Sequence, residues 1–167
     1  MIDLSQDGVS AEHVLQALHF PRGRRHTSFA LYAMREGVPF RRLRLLESEI
    51  SCESEADVKY SARFTVLDDS AVDWRQDGLR LEMRVLVDGK TLSYPFPPLR
   101  AVNVSDAPDG AGRVQIEAKD ETVLLERSCV GDGLFLPAGT RYVPYIEETL
   151  ARAGFQNTFI EAYDAAI

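Results

Sequence analysis

Between residues 58 and 66 the chain alternates strictly. Val58, Tyr60, Ala62, Phe64 and Val66 are separated by Lys59, Ser61, Arg63 and Thr65. A strand turns successive side chains to opposite faces, so this spacing puts five apolar groups on one side and leaves the other to solvent. A helical period would scatter the same residues around a cylinder. The segment therefore requires a half-buried antiparallel strand and neighbours with which to share its apolar face. The same period returns at Leu81, Met83, Val85 and Val87, and again at Val114, Ile116 and Ala118. Asp88-Gly89-Lys90 reads as a hairpin turn after the second of these runs. Thr91–Phe96 forms the return. Pro95-Phe96-Pro97-Pro98 breaks it, Leu99–Ser105 starts another strand, and 106–112 is a loop by composition. Upstream, the apolar run 28–34 and the segment 40–46 pair through a connection over 35–39.

Helical signals flank this β-rich stretch. Ser10 is a good N-cap for 11–18, and Val9 and Val14 fit a hydrophobic staple. Val14, Leu15 and Leu18 share one face, and Pro21-Arg22-Gly23 stops the helix. Asp120 caps a single turn over 120–125, and 130–139 is a Gly-containing connection. Thr140 caps a helix running to Ala153, with Val143, Ile146, Leu150 and Ala153 on one side and Gly154 as its stop. The expected class is α+β, mainly antiparallel β: a β-barrel or sandwich-like module of six to eight short strands, with an N-terminal helix and a helix near the C-terminus. The expected divisions are an N-terminal helix and arm at 1–26, a β-rich module at 27–130, and a connection and helix at 131–167. Residues 155–167 form no recognisable closing element, as in a chain cut from a longer protein or one with a short tail.

With 167 residues, the chain is long enough to bury a core of its own. No apolar run approaches the ~18 residues that span a bilayer. The first residues lack the basic and apolar regions of a secretion signal. Cys52 and Cys129 cannot build a disulfide framework or a four-ligand zinc site. A net charge of -7 argues against nucleic-acid binding through overall charge. That charge is unevenly divided. Residues 1–46 carry seven arginines against four carboxylates, and the remainder twelve basic against twenty-two acidic residues.

Motifs for chemistry are mostly missing. His13, His19 and His26 lack metal-ligand spacing, and Cys52 or Cys129 would act as a nucleophile only with a histidine beside it in space, whereas Cys52, in an expected strand, reads as a structural thiol. Gly110-Ala111-Gly112 and Gly131-Asp132-Gly133 lack the further residues of phosphate-binding loops and read as turns. Glu47, Glu49, Glu53 and Glu55 share odd positions and would line one side of an unbroken strand. Asp68, Asp69 and Asp73 crowd a loop before Trp74 and read as a solvated turn rather than a calcium site. The arginines of 22–25, with Arg35, Arg41, Arg42 and Arg44, could meet phosphates, and they suit an acidic partner surface equally well, including the acidic remainder of a second copy.

The order of these features resembles the N-terminal part of siphophage-type tail proteins of the baseplate hub or tail-tip group. The resemblance is carried by the run Ser54–Val66, by Val72-Asp73-Trp74-Arg75-Gln76-Asp77-Gly78-Leu79-Arg80, by Met83 to Lys90, by Val114 to Leu125, and by Gly139-Thr140 through Gly154. The aromatic-containing hairpin from Phe29 to Gly37 precedes them. Together they cover most of 10–155, and their collinear order is more specific than any one of them. The segment Ser93–Leu99 lacks the glycine usual in that family, whose members run much longer.

The resemblance implies a virion structural protein that assembles around a tail axis, commonly as a trimer, with the helix after Gly139-Thr140 opening an inserted domain. Its partners would be further copies and other tail or baseplate proteins, with no specific nucleic acid and no membrane insertion. Its location would be the virion tail, and the bacterial cytoplasm during assembly. No catalytic residue, metal or cofactor is expected. Arg41, Arg42, Arg44 and Trp74 are the expected interface residues. Two other readings remain open: a carbohydrate-binding β-sandwich using Trp74 and Tyr94 as stacking platforms, and a fragment of a tail-associated cell-wall hydrolase.

Overall fold

The computed structural model describes residues 4–19, 27–53, 55, 58–108, 112–127, 137–139 and 141–155. Helix α1 (Ala11–Leu18) precedes eight strands: β1 (Thr27–Arg35), β2 (Val38–Leu43), β3 (Leu45–Cys52), β4 (Tyr60–Leu67), β5 (Gly78–Val87), β6 (Lys90–Pro95), β7 (Leu99–Asp106) and β8 (Arg113–Asp120). Helices α2 (Val123–Arg127) and α3 (Tyr142–Ala153) follow. The expected mainly antiparallel β architecture with a helix near each end is the one observed.

All strand pairs are antiparallel and belong to one sheet, ordered β2-β1-β5-β7-β8-β4-β3, with β6 paired to β5 off that path. The two ends of the path, β2 and β3, are joined through Arg44, but no ladder links them. The sheet is not closed into a barrel. Strand β5 gives one edge to β1 and divides the other, pairing β7 at Gly78 and Leu79 and β6 from Glu82 to Val87. The proline-rich break at 95–98 allows this division, because three residues without N–H groups cannot continue a ladder.

The alternating runs land as their period requires. Ala62, Phe64 and Val66 of β4 meet Ala118, Ile116 and Val114 of β8 in register, and all six are buried. They join Leu31, Ala33, Leu43, Leu79, Leu81 and Leu99 in the main core. A second cluster joins Val9 and Val14 to Val85, Val87 and Leu92. Tyr94 donates to the Leu4 carbonyl at 2.6 Å and Lys90 to the Asp7 carbonyl at 3.0 Å, which ties the N-terminal arm to the β5–β6 hairpin.

Several boundaries differ from those read in the sequence. The first hairpin turns tightly at Glu36 and Gly37, rather than over five residues. Both have positive φ, 52° and 76°, as a mirror-image hairpin turn requires. The segment 40–46 is not one strand, since the chain bends at Arg44 and leaves β1 for β4. Ser10 caps α1 by accepting from the His13 N–H, but Leu15 stays 43% exposed and only Val14 is fully buried. The single helical turn begins at Val123, with Asp120 as the last residue of β8. Arg141 is the N-cap of α3 and makes no side-chain capping bond, whereas Gly154 ends the helix at φ 98° as expected. Thr140, most of 130–139 and the segment 156–167 lie outside the described residues, as do Pro21, Arg22 and Gly23.

Phe64, 2% exposed and central to the main cluster, sets the clearest stability test. Phe64→Ala is expected to cost about 3–5 kcal/mol in denaturant unfolding. Val38→Ser on the 62% exposed β2 position should stay within about 0.5 kcal/mol.

Candidate functional site

The acidic loop between β4 and β5 is held by arginines from elsewhere in the sheet. Asp77, its side chain 3% exposed, accepts from Arg35 Nε at 2.9 Å and Nη2 at 2.7 Å and from the Asp73 backbone N–H at 2.9 Å. Arg41 Nε reaches Asp69 at 2.6 Å, and Asp69 also accepts from the Ala71 N–H. Arg100 donates to the Gln76 carbonyl and pairs with Glu121 at 3.2 Å. Hydrogen bonds from Arg35 hold the Asp77 carboxyl below its ordinary range against the opposing effect of burial, and Arg41 does the same for Asp69. The loop read as a solvated turn is thus a three-point clamp. Trp74 lies within it, partly buried and packed against the main core.

A second network covers the outer face of β5. Glu82 is 8% exposed. Its carboxylate accepts from Arg80 Nη2 at 2.6 Å, Ser93 Oγ at 3.0 Å and Arg84 Nη2 at 3.4 Å, and Arg84 also donates to the Tyr32 hydroxyl. Burial pushes this carboxyl up, but the hydrogen bonds from Arg80, Ser93 and Arg84 outweigh it and leave Glu82 below its ordinary range. At the end of β8, Asp120 accepts from the Tyr60 and Thr122 N–H groups, at 2.8 and 2.9 Å. Its carboxyl is likewise lowered by hydrogen bonds despite burial. Motif reading missed Asp77 and Glu82, and gave Asp120 a local capping role without the bond from the Tyr60 N–H. The signal for Glu82 was present as the polar phase of an alternating strand, Arg80, Glu82 and Arg84 between Leu79, Leu81, Met83 and Val85. Asp77 carried none, because Arg35 lies 42 positions away, and nothing local pointed to the Asp120 bond from Tyr60, which spans 60 positions.

The four expected interface residues do not form one site. Trp74 belongs to the clamp and Arg41 to its ion pair with Asp69. Arg42 and Arg44 are exposed at the β2–β3 bend, beside a shallow cavity of about 300 Å³ shared with Phe29, Ala30, Leu43 and Leu45. Tyr94 sits in the second cluster. Glu47 and Glu49 share the outward face of β3, opposite Thr65 and Arg63, while Glu53 and Glu55 lie beyond that strand. A larger cavity of about 600 Å³ is lined by Arg35, Arg80 and Arg100, already paired with Asp77, Glu82 and Glu121, and by Met34, Pro98 and Phe155. Among the described residues, no group of three His, Cys, Asp or Glu side chains could hold a metal ion. His13 approaches Asp88 at 3.5 Å, and Cys52 is exposed. Cys129 and His26 lie outside the described residues. None of the helices described is long and apolar enough to cross a membrane.

No protein-family model, curated protein or solved structure matches this chain.

The four lowered carboxyls set the acid response. A depressed folded-state pKa contributes stability that is complete above the unfolded value, about 4, and is lost as the pH falls through the lower folded value. The unfolding midpoint should therefore be flat from neutral pH to about 5 and drop below about 4. Asp77→Ala should destabilise by about 1–3 kcal/mol at pH 7, since it removes the buried carboxylate on which the Arg35 and Asp73 hydrogen bonds converge, and should soften the acid drop. Arg42→Ala, at an exposed arginine with no ion pair among the described residues, should change neither. Thermal melts across pH read both outcomes.

Proposed function

We propose that this chain is a non-enzymatic structural component of a phage or prophage tail, part of a baseplate hub or tail tip, working by self-association and contact with other tail proteins. The observation that carries this reading is the character of the two terminal strands. Among the described residues, strands β2 and β3 each present an edge with no ladder partner, with arginines at one and glutamates at the other. Sheet edges are natural sites of strand addition between chains. The motif order adds support: Ser54–Val66 leads into β4, Val72–Arg80 runs from the clamped loop into β5, Met83–Lys90 spans the β5–β6 turn, and Val114–Leu125 joins β8 to α2. The acids with lowered pKa values are all tied to arginines or backbone N–H groups. A trimer is the assembly that the family resemblance favours.

The carbohydrate reading has less in its favour. A stacking platform needs free ring faces; Trp74 lines a cavity of about 900 Å³ but packs one side on the main core, and Tyr94 packs on the second cluster.

Antibody raised against the purified chain should label one end of tail particles released from the source bacterium after prophage induction. Particles that carry no label would overturn the tail assignment. A glycan array should give no sugar-dependent signal, and one abolished by Trp74→Ala would favour the carbohydrate module instead.

A further inference from the structure

Strands β2 and β3 follow one another in the chain yet end the sheet path at opposite sides, each with one neighbour among the described residues, β1 or β4. Their outward faces carry opposite charge. Leu43 is buried and Leu45 packs against the core, so the pleat turns Arg42 and Arg44 outward. Ile50 packs inward, and Glu47 and Glu49 pair in register with Thr65 and Arg63 on the outer face. Neither Arg42 nor Arg44 has an ion pair among the described residues. The same holds for Glu49, since Arg63 opposite it reaches Glu117 at 3.5 Å, and Glu47 accepts only a long hydrogen bond from Thr65. Arg41 is taken by Asp69. Exposed apolar groups accompany the charges: Val38 and Phe40 on β2 and Leu46 on β3.

We propose that these edges are the two halves of one interface between copies of this chain, with β2 of one copy adding to β3 of the next. The inference deepens the self-association reading above and rests on it. Charge decides the pairing. Joining β2 to β2 sets arginines against arginines, and joining β3 to β3 sets glutamates against glutamates, each unfavourable for residues directly across a ladder. Joining β2 to β3 places two outward arginines, spaced by two, against two outward glutamates with the same spacing. Opposite charges then meet whichever way the strands run. Pro39 has no N–H, which keeps added pairing to the stretch from Phe40 through Arg42 to the bend at Arg44. A contact between unlike surfaces does not close as a twofold dimer, and it continues into a ring or a filament.

The test is charge reversal, read by light scattering over a concentration series at low and high salt. Wild type should gain mass with concentration and lose it with salt. R42E/R44E and E47R/E49R, each checked for an unchanged melt, should each associate about tenfold or more weakly. An equimolar mixture of the two should recover the assembly, because each variant then offers the edge the other lacks. The neutral pairs R42Q/R44Q and E47Q/E49Q serve if a reversal disturbs folding, and should weaken association without recovery on mixing. An oligomer indifferent to every variant overturns this interface and leaves self-association standing. A wild type that stays monomeric throughout overturns both. Weakening by one variant alone, with no recovery on mixing, overturns the head-to-tail pairing.

Discussion

Strand β5 is the segment on which the rest of the molecule depends, because it belongs to both hydrophobic clusters. Leu79 and Leu81 sit in the main core, and Val85 and Val87 in the cluster beneath α1. Ten residues long, it pairs with β1 along one edge and with β7 and β6 on the other. Burial of these four side chains therefore couples the curled sheet to the N-terminal helix. Apolar burial is worth roughly 25 cal/mol per Å², and here one strand collects it on behalf of two packing layers.

The polar framework is organised around the same strand. Asp77 immediately precedes β5, and Glu82 lies on its outer face. Both are nearly inaccessible to solvent, and both keep their charge because guanidinium groups replace the lost water. Such pairs cost desolvation and return it through geometry, so their main effect is to fix one arrangement among several of similar burial. At Asp77 that arrangement sets the path of the 68–77 loop and the seat of Trp74. At Glu82 it ties β6 to β5 through Ser93. On the same outer face, Arg80 pairs with Glu82, and Arg100 of β7 pairs with Glu121.

Free charge lies elsewhere, at the two sheet ends. Arginines of β1, β2 and β7 that face the acidic loop are paired within the chain, whereas those at the β2–β3 bend have no ion pair among the described residues. The glutamates of β3 likewise face outward beside a polar sheet surface. A chain with net charge -7 is thus locally bipolar along consecutive strands. Bipolarity of this kind suits association with a second copy of the same chain, and it disfavours the symmetric contacts that would bury like charges together.

The amino-acid sequence alone determined the strands with a solvated face and their turns. Alternation at 58–66, 81–87 and 114–118, and glycines where φ must be positive, are local requirements written in neighbouring residues. Helix α1 was legible for the same reason, through Ser10, Val9 and Val14. Tertiary structure alone decided what depends on residues far apart in sequence. It split the segment 40–46 at Arg44, where the chain changes partner from β1 to β4, and it divided one edge of β5 between β6 and β7. It also turned a seemingly solvated acidic loop into a clamp by bringing in Arg35, Arg41 and Arg100, and it separated Arg41 and Trp74 from Arg42 and Arg44. Hydrophobic period is a property of a few consecutive residues. Strand order, the partner of a buried charge and the freedom of an edge are properties of which distant segments meet, and short-range spacing does not encode them.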